Sequence, residues 1–200
     1  MLEGVGAVRV FTVGHSNHPL EKFLDLLRKF EIEVIADTRS VPKSKFSKQF
    51  DIDPLREALI QSGLRYVYLG HELGGRPQGD EFYDSTGHVL YDKLSESPLF
   101  LSGIARLQTG LAKFRVALLC AEEDPTGCHR RLLVGQVLLQ KGVDLQHIRA
   151  DGSLQAETDL IAAQVANSNQ LYLFEQQELN EWKSIPSVSR KRRPNSFSVF

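Results

Sequence analysis

The chain has 200 residues, of which 42% are hydrophobic and 24% charged, a length and composition typical of one soluble α/β domain with a sizeable core. A formal net charge of -1 gives no support for nucleic-acid or membrane binding from overall charge, and two cysteines exclude a disulfide framework. The sequence has no signal-peptide core and no apolar run of spanning length, so it predicts a cytoplasmic protein with reduced thiols and no membrane partner.

Segments with the period of strands alternate with segments of helical period from residue 8 to residue 148. Consecutive strands joined through a helix form right-handed units with parallel strands. We therefore predict a three-layer α/β fold, in which a mostly parallel sheet of about five strands has helices on both faces. The predicted strands are 8–13, 32–37, 64–69, 114–120 and 143–148. The predicted helices are 20–30, 53–62, 98–107 and 128–141.

The chain is predicted to divide into one main domain and two C-terminal parts. Residues 1–155 form the single α/β domain, in which the polar segment 78–91 is a long loop over the sheet edge. Residues 156–187 form a helical extension that packs on the domain, with Trp182 as the docking residue. Residues 188–200 contain a run of arginine and lysine before Pro194 and are predicted to be a flexible basic tail.

Residues 116–131 join the fourth predicted strand to the next helix and carry the densest set of reactive side chains. An apolar run ends at Cys120, a turn with Asp-Pro and Thr-Gly follows, and Cys128 opens the helix. In open α/β sheets ligands bind at the carboxyl ends of the strands, and a helix amino end attracts anions. Loops 14–18, 37–45 and 70–76 follow other strands, so we expect all four loops to converge on one site.

These blocks, in this order, resemble the family catalogued as domain of unknown function 488. The resemblance spans residues 9–152 and implies a compact bacterial or archaeal α/β domain, with candidate site positions but no established reaction. The matching blocks are Thr12-Val13-Gly14-His15-Ser16, Asp37-x-Arg39-x-x-Pro42-x-Ser44, Gln49-Phe50, Tyr66, Leu73-Gly74-Gly75-Arg76, Leu119-Cys120-Ala121-Glu122, Cys128-His129-Arg130 and Gly142 to Ile148.

Four residues are candidates for catalysis: Cys128, Glu122, His15 and Asp37. Cys128 lies at a predicted helix amino end beside His129, a setting that lowers a thiol pKa and suits a nucleophile. Glu122 and Asp37 each follow a strand and suit proton transfer, as does His15. Each candidate also has a structural alternative, as a small buried residue, a loop cap or a partner of an arginine.

Arginines in the same loops indicate an anionic ligand. Arg39, Arg76 and Arg130 present guanidinium groups, whose planar fork matches phosphate or carboxylate. Their alternative role is to pair with the acidic residues of these loops. The further predicted ligand contacts are His129, Ser16, Ser44, Gly74 and Gly75.

The two cysteines leave two more alternatives open. A disulfide between Cys120 and Cys128 would make a redox protein, provided that their Cα atoms lie within about 7 Å. Both cysteines and one of His129, His15 or His71 would make a metal site. The ligand spacing matches no zinc motif, however, so no metal ligand is predicted.

The sequence thus predicts an enzyme that acts on a phosphorylated or nucleotide-like anionic ligand at the C-terminal edge of the sheet. The alternatives are a non-catalytic nucleotide- or nucleic-acid-binding module and a thiol redox protein that uses Cys120 and Cys128. The residues identify neither a cofactor nor an oligomeric state.

Overall fold

Six strands form one sheet in the computed structural model, which describes residues 8–44, 46–171 and 182–185. Their order across the sheet is β3-β2-β4-β1-β5-β6. Strands β1 to β5 are parallel to one another, and β6 pairs antiparallel with β5 at the edge of the sheet. The strands are β1 (Arg9–Gly14), β2 (Val34–Asp37), β3 (Arg65–Tyr68), β4 (Val116–Cys120), β5 (Asp144–Ile148) and β6 (Leu154–Ala156).

Helices connect the parallel strands, as the alternating sequence pattern predicts. A π-helical turn at Arg130–Gly135 leads directly into α6. Such turns are rare in proteins, and those that do occur often lie at functional sites. Among the described residues no helix is both long and apolar enough to cross a membrane. The helices are α1 (Leu20–Lys29), α2 (Ile52–Gln61), α3 (Gly70–Leu73), α4 (Tyr91–Ser95), α5 (Pro98–Leu111), α6 (Gln136–Gln140) and α7 (Glu157–Leu171).

The core lies on both faces of the sheet, because every residue of β4 is buried and its side chains alternate between the faces. Ala117 and Leu119 pack with the buried residues of α1 and α2 on one face. Val116 and Leu118 pack with those of α5 and α6 on the other. The predicted α/β fold with a mostly parallel sheet and helices on both faces is therefore confirmed. The sixth strand, β6, was not predicted, because three residues are too short to show a period.

The segment 78–91, predicted to be a loop, contains a short 3-10 turn at Asp80–Phe82 and an isolated bridge between Tyr83 and Val89. Trp182 packs against the same region, where its ring lies 6.0 Å from that of Tyr91. The Trp182 indole N–H donates to the carbonyl of Leu132 (2.8 Å). Residues 1–7, 45, 172–181 and 186–200, which include the predicted basic tail, lie outside the described residues. The division into domain, extension and tail stays a prediction.

Candidate functional site

The carboxyl ends of β1 and β4 form a switch point in the sheet. These strands are neighbours, yet the chain leaves β1 towards β2 on one side and leaves β4 towards β5 on the other. Where two connections diverge in this way, they open the crevice in which α/β proteins bind ligands. Two backbone hydrogen bonds join the strand ends: His15 N donates to the Cys120 carbonyl (3.0 Å) and Ser16 N to the Ala121 carbonyl (2.8 Å).

Gly14, the last residue of β1, permits this close approach. A Cβ atom at this position would lie 1.8 Å from the carbonyl oxygen of Glu122 and 2.7 Å from the Cα atom of Glu123. The turn after β4 therefore packs directly on the backbone of β1, which fixes the position of Cys120 at the end of its strand.

Cys120, Cys128 and His129 form a buried group at this point, named here the Cys–His cluster. The two sulfur atoms lie 3.1 Å apart. The Nδ1 atom of His129 lies 3.7 Å from the sulfur of Cys120 and 3.9 Å from that of Cys128. Both cysteines are free thiols. Cys120 is 6% exposed, whereas Cys128 is fully buried.

The two thiols differ in their preference for the charged form. The hydrogen bond from the Cys128 thiol lowers the pKa of Cys120 well below its usual value, and the nearby His129 acts in the same direction. Burial raises the pKa of Cys128 well above its usual value. Burial alone would lower the pKa of His129, but the negative charge of Cys120 raises it. Sequence analysis placed the lowered thiol pKa on Cys128. In the structure the lowering falls on Cys120 instead, because Cys128 is fully buried and its thiol donates to the sulfur of Cys120.

The ring of His129 is fixed from two sides. Its Nε2 atom lies 3.0 Å from the carbonyl oxygen of Thr38, and an N–H at this position donates to that oxygen. With Nε2–H bonded to Thr38, the Nδ1 atom faces the two sulfur atoms. It carries a lone pair when the ring is neutral and donates an N–H when the ring is protonated. A Cβ atom at Gly75 would lie 2.7 Å from the Cγ atom of the ring, so only glycine leaves room for the imidazole here.

Asp37, the last residue of β2, and Arg39, two residues further on, form a buried ion pair beside the cluster. Arg39 Nε and Nη2 donate to the two carboxylate oxygens of Asp37, at 2.9 Å and 2.6 Å. The hydroxyl of Tyr66 also donates to Asp37 (2.7 Å). Arg39 Nη1 lies 3.1 Å from His15 Nε2, and burial together with the Arg39 charge lowers the pKa of His15 to about 4. His15 is therefore neutral near neutral pH and can accept a hydrogen bond from Arg39.

Arg130 supports the turn after β4 from the inside. The residue is fully buried, and its two terminal nitrogens donate to the backbone carbonyls of Glu122 and Glu123. Its Nε donates to the hydroxyl of Thr12 at 3.3 Å. These contacts hold the turn in shape and point the guanidinium group away from the surface.

A pocket of about 170 Å³ opens over the cluster at the carboxyl edge of the sheet. Arg76 is exposed at this pocket, and its backbone N–H donates to the hydroxyl of Ser40 (2.9 Å). Glu122 is half-buried there, and burial raises its pKa. The pocket is lined by Arg39, Ser40, Val41, Gly75, Arg76, Cys120, Ala121, Glu122 and His129.

A larger pocket of about 590 Å³ adjoins the first one, because Ser40 and Arg76 line both. Its walls include aromatic and apolar side chains as well as polar groups, among them Tyr68, Phe82 and Leu99. Gly74 also lines it. A molecule that extends past Arg76 would thus occupy both pockets.

The remaining predicted residues lie apart from these two pockets. Ser16 lines a different pocket, of about 750 Å³, together with Glu123 and Arg149. Ser44 is part of its own loop, in which its hydroxyl accepts a hydrogen bond from the backbone N–H of Ser47 (3.0 Å). His15, Asp37, Cys128 and Arg130 lie beneath the pocket surface rather than in its lining.

The predicted catalytic and ligand-binding residues omitted three contributors to this geometry: Cys120, Ser40 and Tyr66. Sequence analysis gave Cys120 a role only in the redox and metal alternatives, although its place two residues before Glu122 at a strand end was a usable signal. Ser40 and Tyr66 act through hydrogen bonds to Arg76 and Asp37, partners that are distant along the chain and that no local pattern identifies.

A second chain of polar groups lies under the site. The Thr12 hydroxyl is 2.8 Å from His147 Nδ1, and His147 Nε2 is 2.7 Å from a carboxylate oxygen of Glu157. The order hydroxyl, imidazole, carboxylate is that of a catalytic triad. Thr12 and His147 are fully buried, however, and Glu157 is 4% exposed, so these groups connect β1, β5 and α7 inside the protein.

The fold and the switch-point pocket define an α/β protein whose candidate ligand site lies at the carboxyl edge of a parallel sheet. Residues 19–137 match the family described as Domain of unknown function DUF488. Because the match covers more than half of the chain, the protein belongs to this family, as its motif blocks suggested. No curated protein and no solved structure matches the chain.

Proposed function

We propose that the protein is an enzyme acting on a phosphorylated or nucleotide-like anionic ligand, bound at the carboxyl edge of the sheet. One observation carries the proposal: a single pocket brings together two arginines, a carboxylate and the exposed side of the Cys–His cluster. These groups come from the carboxyl ends of three strands, β2, β3 and β4, and from the segments that follow them. They meet at the switch point where this class of fold binds ligands.

Arg76 is the principal anion-binding group in this proposal. Its side chain is exposed and takes part in no ion pair among the described residues, whereas Arg39 is already paired with Asp37. An unpaired guanidinium at a pocket rim suits a phosphate or carboxylate, which can accept two parallel hydrogen bonds from it. Arg130 is assigned a structural role instead, because its terminal nitrogens hold backbone carbonyls.

The sizes of the two pockets indicate a ligand with two parts. Pockets that hold a whole small-molecule ligand usually measure roughly 300–1,000 Å³. The pocket of about 170 Å³ over the cluster therefore accommodates one reacting group, whereas the adjoining pocket of about 590 Å³ accommodates the body of the ligand. Tyr68 and Phe82 offer aromatic surface to a planar or apolar body, as a nucleotide would have.

Glu122 is the group that moves protons in this scheme, because its carboxyl lines the small pocket beside the cluster. Cys128 is fully buried and does not line the pocket. The proposal therefore gives Cys128 a role within the cluster and not that of an attacking nucleophile. Asp37 and His15 position Arg39.

The experiment tests binding and turnover with four 5′-nucleoside monophosphates, inorganic phosphate and adenosine. Calorimetry should detect binding of at least one monophosphate, tighter than either phosphate or adenosine alone. Arg76→Gln should weaken the binding of this monophosphate by about 10- to 100-fold, because a hydrogen bond to a charged group contributes about 1.5–3 kcal/mol. Leu99→Ser, in the larger pocket, should also weaken monophosphate binding. Arg28→Gln, the control on the exposed side of α1, should leave this binding unchanged.

Chromatography of the incubated monophosphates then separates the alternatives. A product formed by wild-type protein and lost in Glu122→Gln supports the enzyme. Binding without any product supports the non-catalytic nucleotide-binding module. The anion proposal fails if no monophosphate binds, or if Arg76→Gln binds as wild type does.

One observation favours a second candidate, a thiol redox protein: the two sulfur atoms are 3.1 Å apart. A disulfide needs a separation of about 2.05 Å, so an approach of about 1 Å would suffice. A hydroperoxide could supply the oxidising equivalents: one thiol attacks the O–O bond to give a sulfenic acid and an alcohol, and the other thiol displaces water to form the disulfide. Peptide mapping of the peroxide-treated protein without reductant should then recover Cys120 and Cys128 as one linked pair. Recovery of two separate thiols would contradict this candidate.

A further inference from the structure

We propose that the Cys–His cluster is a zinc-binding site with three protein ligands: the sulfur atoms of Cys120 and Cys128 and the Nδ1 atom of His129. Their three ligand atoms lie within 4.8 Å of one another, and all three residues are buried. Two thiolates and an imidazole form a donor set that zinc prefers among the common divalent ions.

The distances between the ligand atoms are close to those that a zinc ion requires. With Zn–S of about 2.3 Å and Zn–N of about 2.05 Å, a tetrahedral ion separates two sulfur ligands by about 3.8 Å and sulfur from nitrogen by about 3.6 Å. The nitrogen of His129 lies 3.7 Å and 3.9 Å from the two sulfur atoms. Only the sulfur atoms, 3.1 Å apart, would have to separate, and by about 0.7 Å.

The setting of His129 supports a ligand role independently of these distances. Histidines that bind metals usually donate their other ring N–H to a carbonyl or carboxylate, which fixes the tautomer and the ring plane. Here Nε2 lies 3.0 Å from the Thr38 carbonyl oxygen and Gly75 leaves room for the ring. The imidazole also lies at nearly equal distances from both sulfur atoms, which a disulfide would not require.

The cluster would leave one metal position open. Among the residues that the structure describes, no fourth histidine, cysteine or carboxylate belongs to the group. Catalytic zinc sites keep three protein ligands and one open position, whereas structural sites use four. Cys120 and His129 line the small pocket with Glu122, so the open position would face the proposed substrate. A zinc ion there would act as a Lewis acid on an oxygen atom bound in the pocket.

The chain order explains why sequence analysis assigned no metal ligand. Cys128 and His129 are adjacent, whereas ligand pairs in zinc motifs are separated by two or more residues. The third ligand, Cys120, precedes Cys128 by eight positions, across the turn that Arg130 holds. Only the folded turn brings the three atoms together.

The test measures metal binding without substrate, so its outcome is separate from that of the anion experiment. Wild-type protein is treated with a chelator, kept reduced with a phosphine, and titrated with Co²⁺ and then Zn²⁺. We expect one Co²⁺ per chain, with the thiolate charge-transfer band and the visible bands of a tetrahedral ion, and displacement by Zn²⁺. Binding transfers the thiol protons to the solvent.

Variants identify the ligands. Cys120→Ala, Cys128→Ala and His129→Ala should each weaken zinc binding by more than about 100-fold, since losing even a supporting partner costs 10- to 100-fold. His18→Ala, a histidine near the same edge of the sheet but outside the cluster, should bind zinc as wild type does. The wild-type titration decides the matter even if a variant fails to fold. The proposal is overturned if reduced wild-type protein retains no zinc and shows no thiolate-to-cobalt band. It is also overturned if His18→Ala is the one variant among the four that abolishes zinc retention and this band.

Discussion

Replacing Gly14 by alanine should destabilise the protein strongly, because the new methyl group would overlap the backbone. Its Cβ would lie 1.8 Å from the Glu122 carbonyl oxygen, against about 3.4 Å for ordinary contact, so the turn would have to move by about 1.6 Å. That movement breaks the two backbone hydrogen bonds from His15 and Ser16, which contribute about 1 kcal/mol each. Overpacking adds about 1–3 kcal/mol, for a total loss of roughly 3–5 kcal/mol.

Gly110→Ala is the matched control, since Gly110 lies within α5 and the nearest atom to its added Cβ would be Val116 Cγ2, 4.0 Å away. Alanine in a helix is more stable than glycine by about 0.5–1 kcal/mol, so this variant should equal or exceed wild type. For a chain of this length 1 kcal/mol shifts Tm by about 2–4 °C, which predicts a fall of roughly 10 °C for Gly14→Ala. Thermal and urea denaturation measure both variants. A Gly14→Ala protein within about 1 kcal/mol of wild type would refute the reasoning.

Three further substitutions test the buried contacts. Arg130→Lys should lower the free energy of unfolding by about 2–4 kcal/mol in urea titrations, because one ammonium cannot replace both carbonyl contacts. Arg76→Gln, the control, should change the free energy of unfolding by less than about 0.5 kcal/mol. Equal effects of the two substitutions would contradict the structural role of Arg130. Gly75→Ala should displace the imidazole of the cluster and weaken Co²⁺ binding by at least about 10-fold, and unchanged binding would argue against the proposed ligand. Burial alone would raise the pKa of Glu157, but hydrogen bonds from His147 and Arg131 lower it below its ordinary 4.5. Its stabilising effect is therefore present above that value and is lost as the pH falls through the lower, folded value. Glu157→Gln should cost about 3 kcal/mol at neutral pH, and the difference from wild type should shrink in acid; a difference independent of pH would count against this assignment.

The arrangement of the fold could be predicted from local patterns. The apolar run at 116–120 identified the central strand, and the Asp-Pro and Thr-Gly pairs identified the turn after it. Because strands and helices alternate, the loops after the strands had to meet at one edge of the sheet. Three of the four predicted loops line the small pocket, and His15 from the fourth contacts Arg39 beneath it.

The roles of individual side chains could not be predicted in this way. Arg76 and Arg130 are equivalent in sequence terms, yet one is exposed at the pocket rim and the other is fully buried under the turn. Cys120 and Cys128 were likewise assigned by position in their elements, whereas the 3.1 Å contact between their sulfur atoms exists only in the folded chain.

The sequence alone determined the alternation of strands and helices, the polar loops at one sheet edge and the motif blocks of the family, because periodicity and turn residues act over a few neighbouring positions. The tertiary structure decided the strand order, with β4 placed between β1 and β2, and the 3.1 Å contact of the two sulfur atoms. Both depend on contacts between segments far apart in the chain, and solvent exposure is fixed only when those segments pack together.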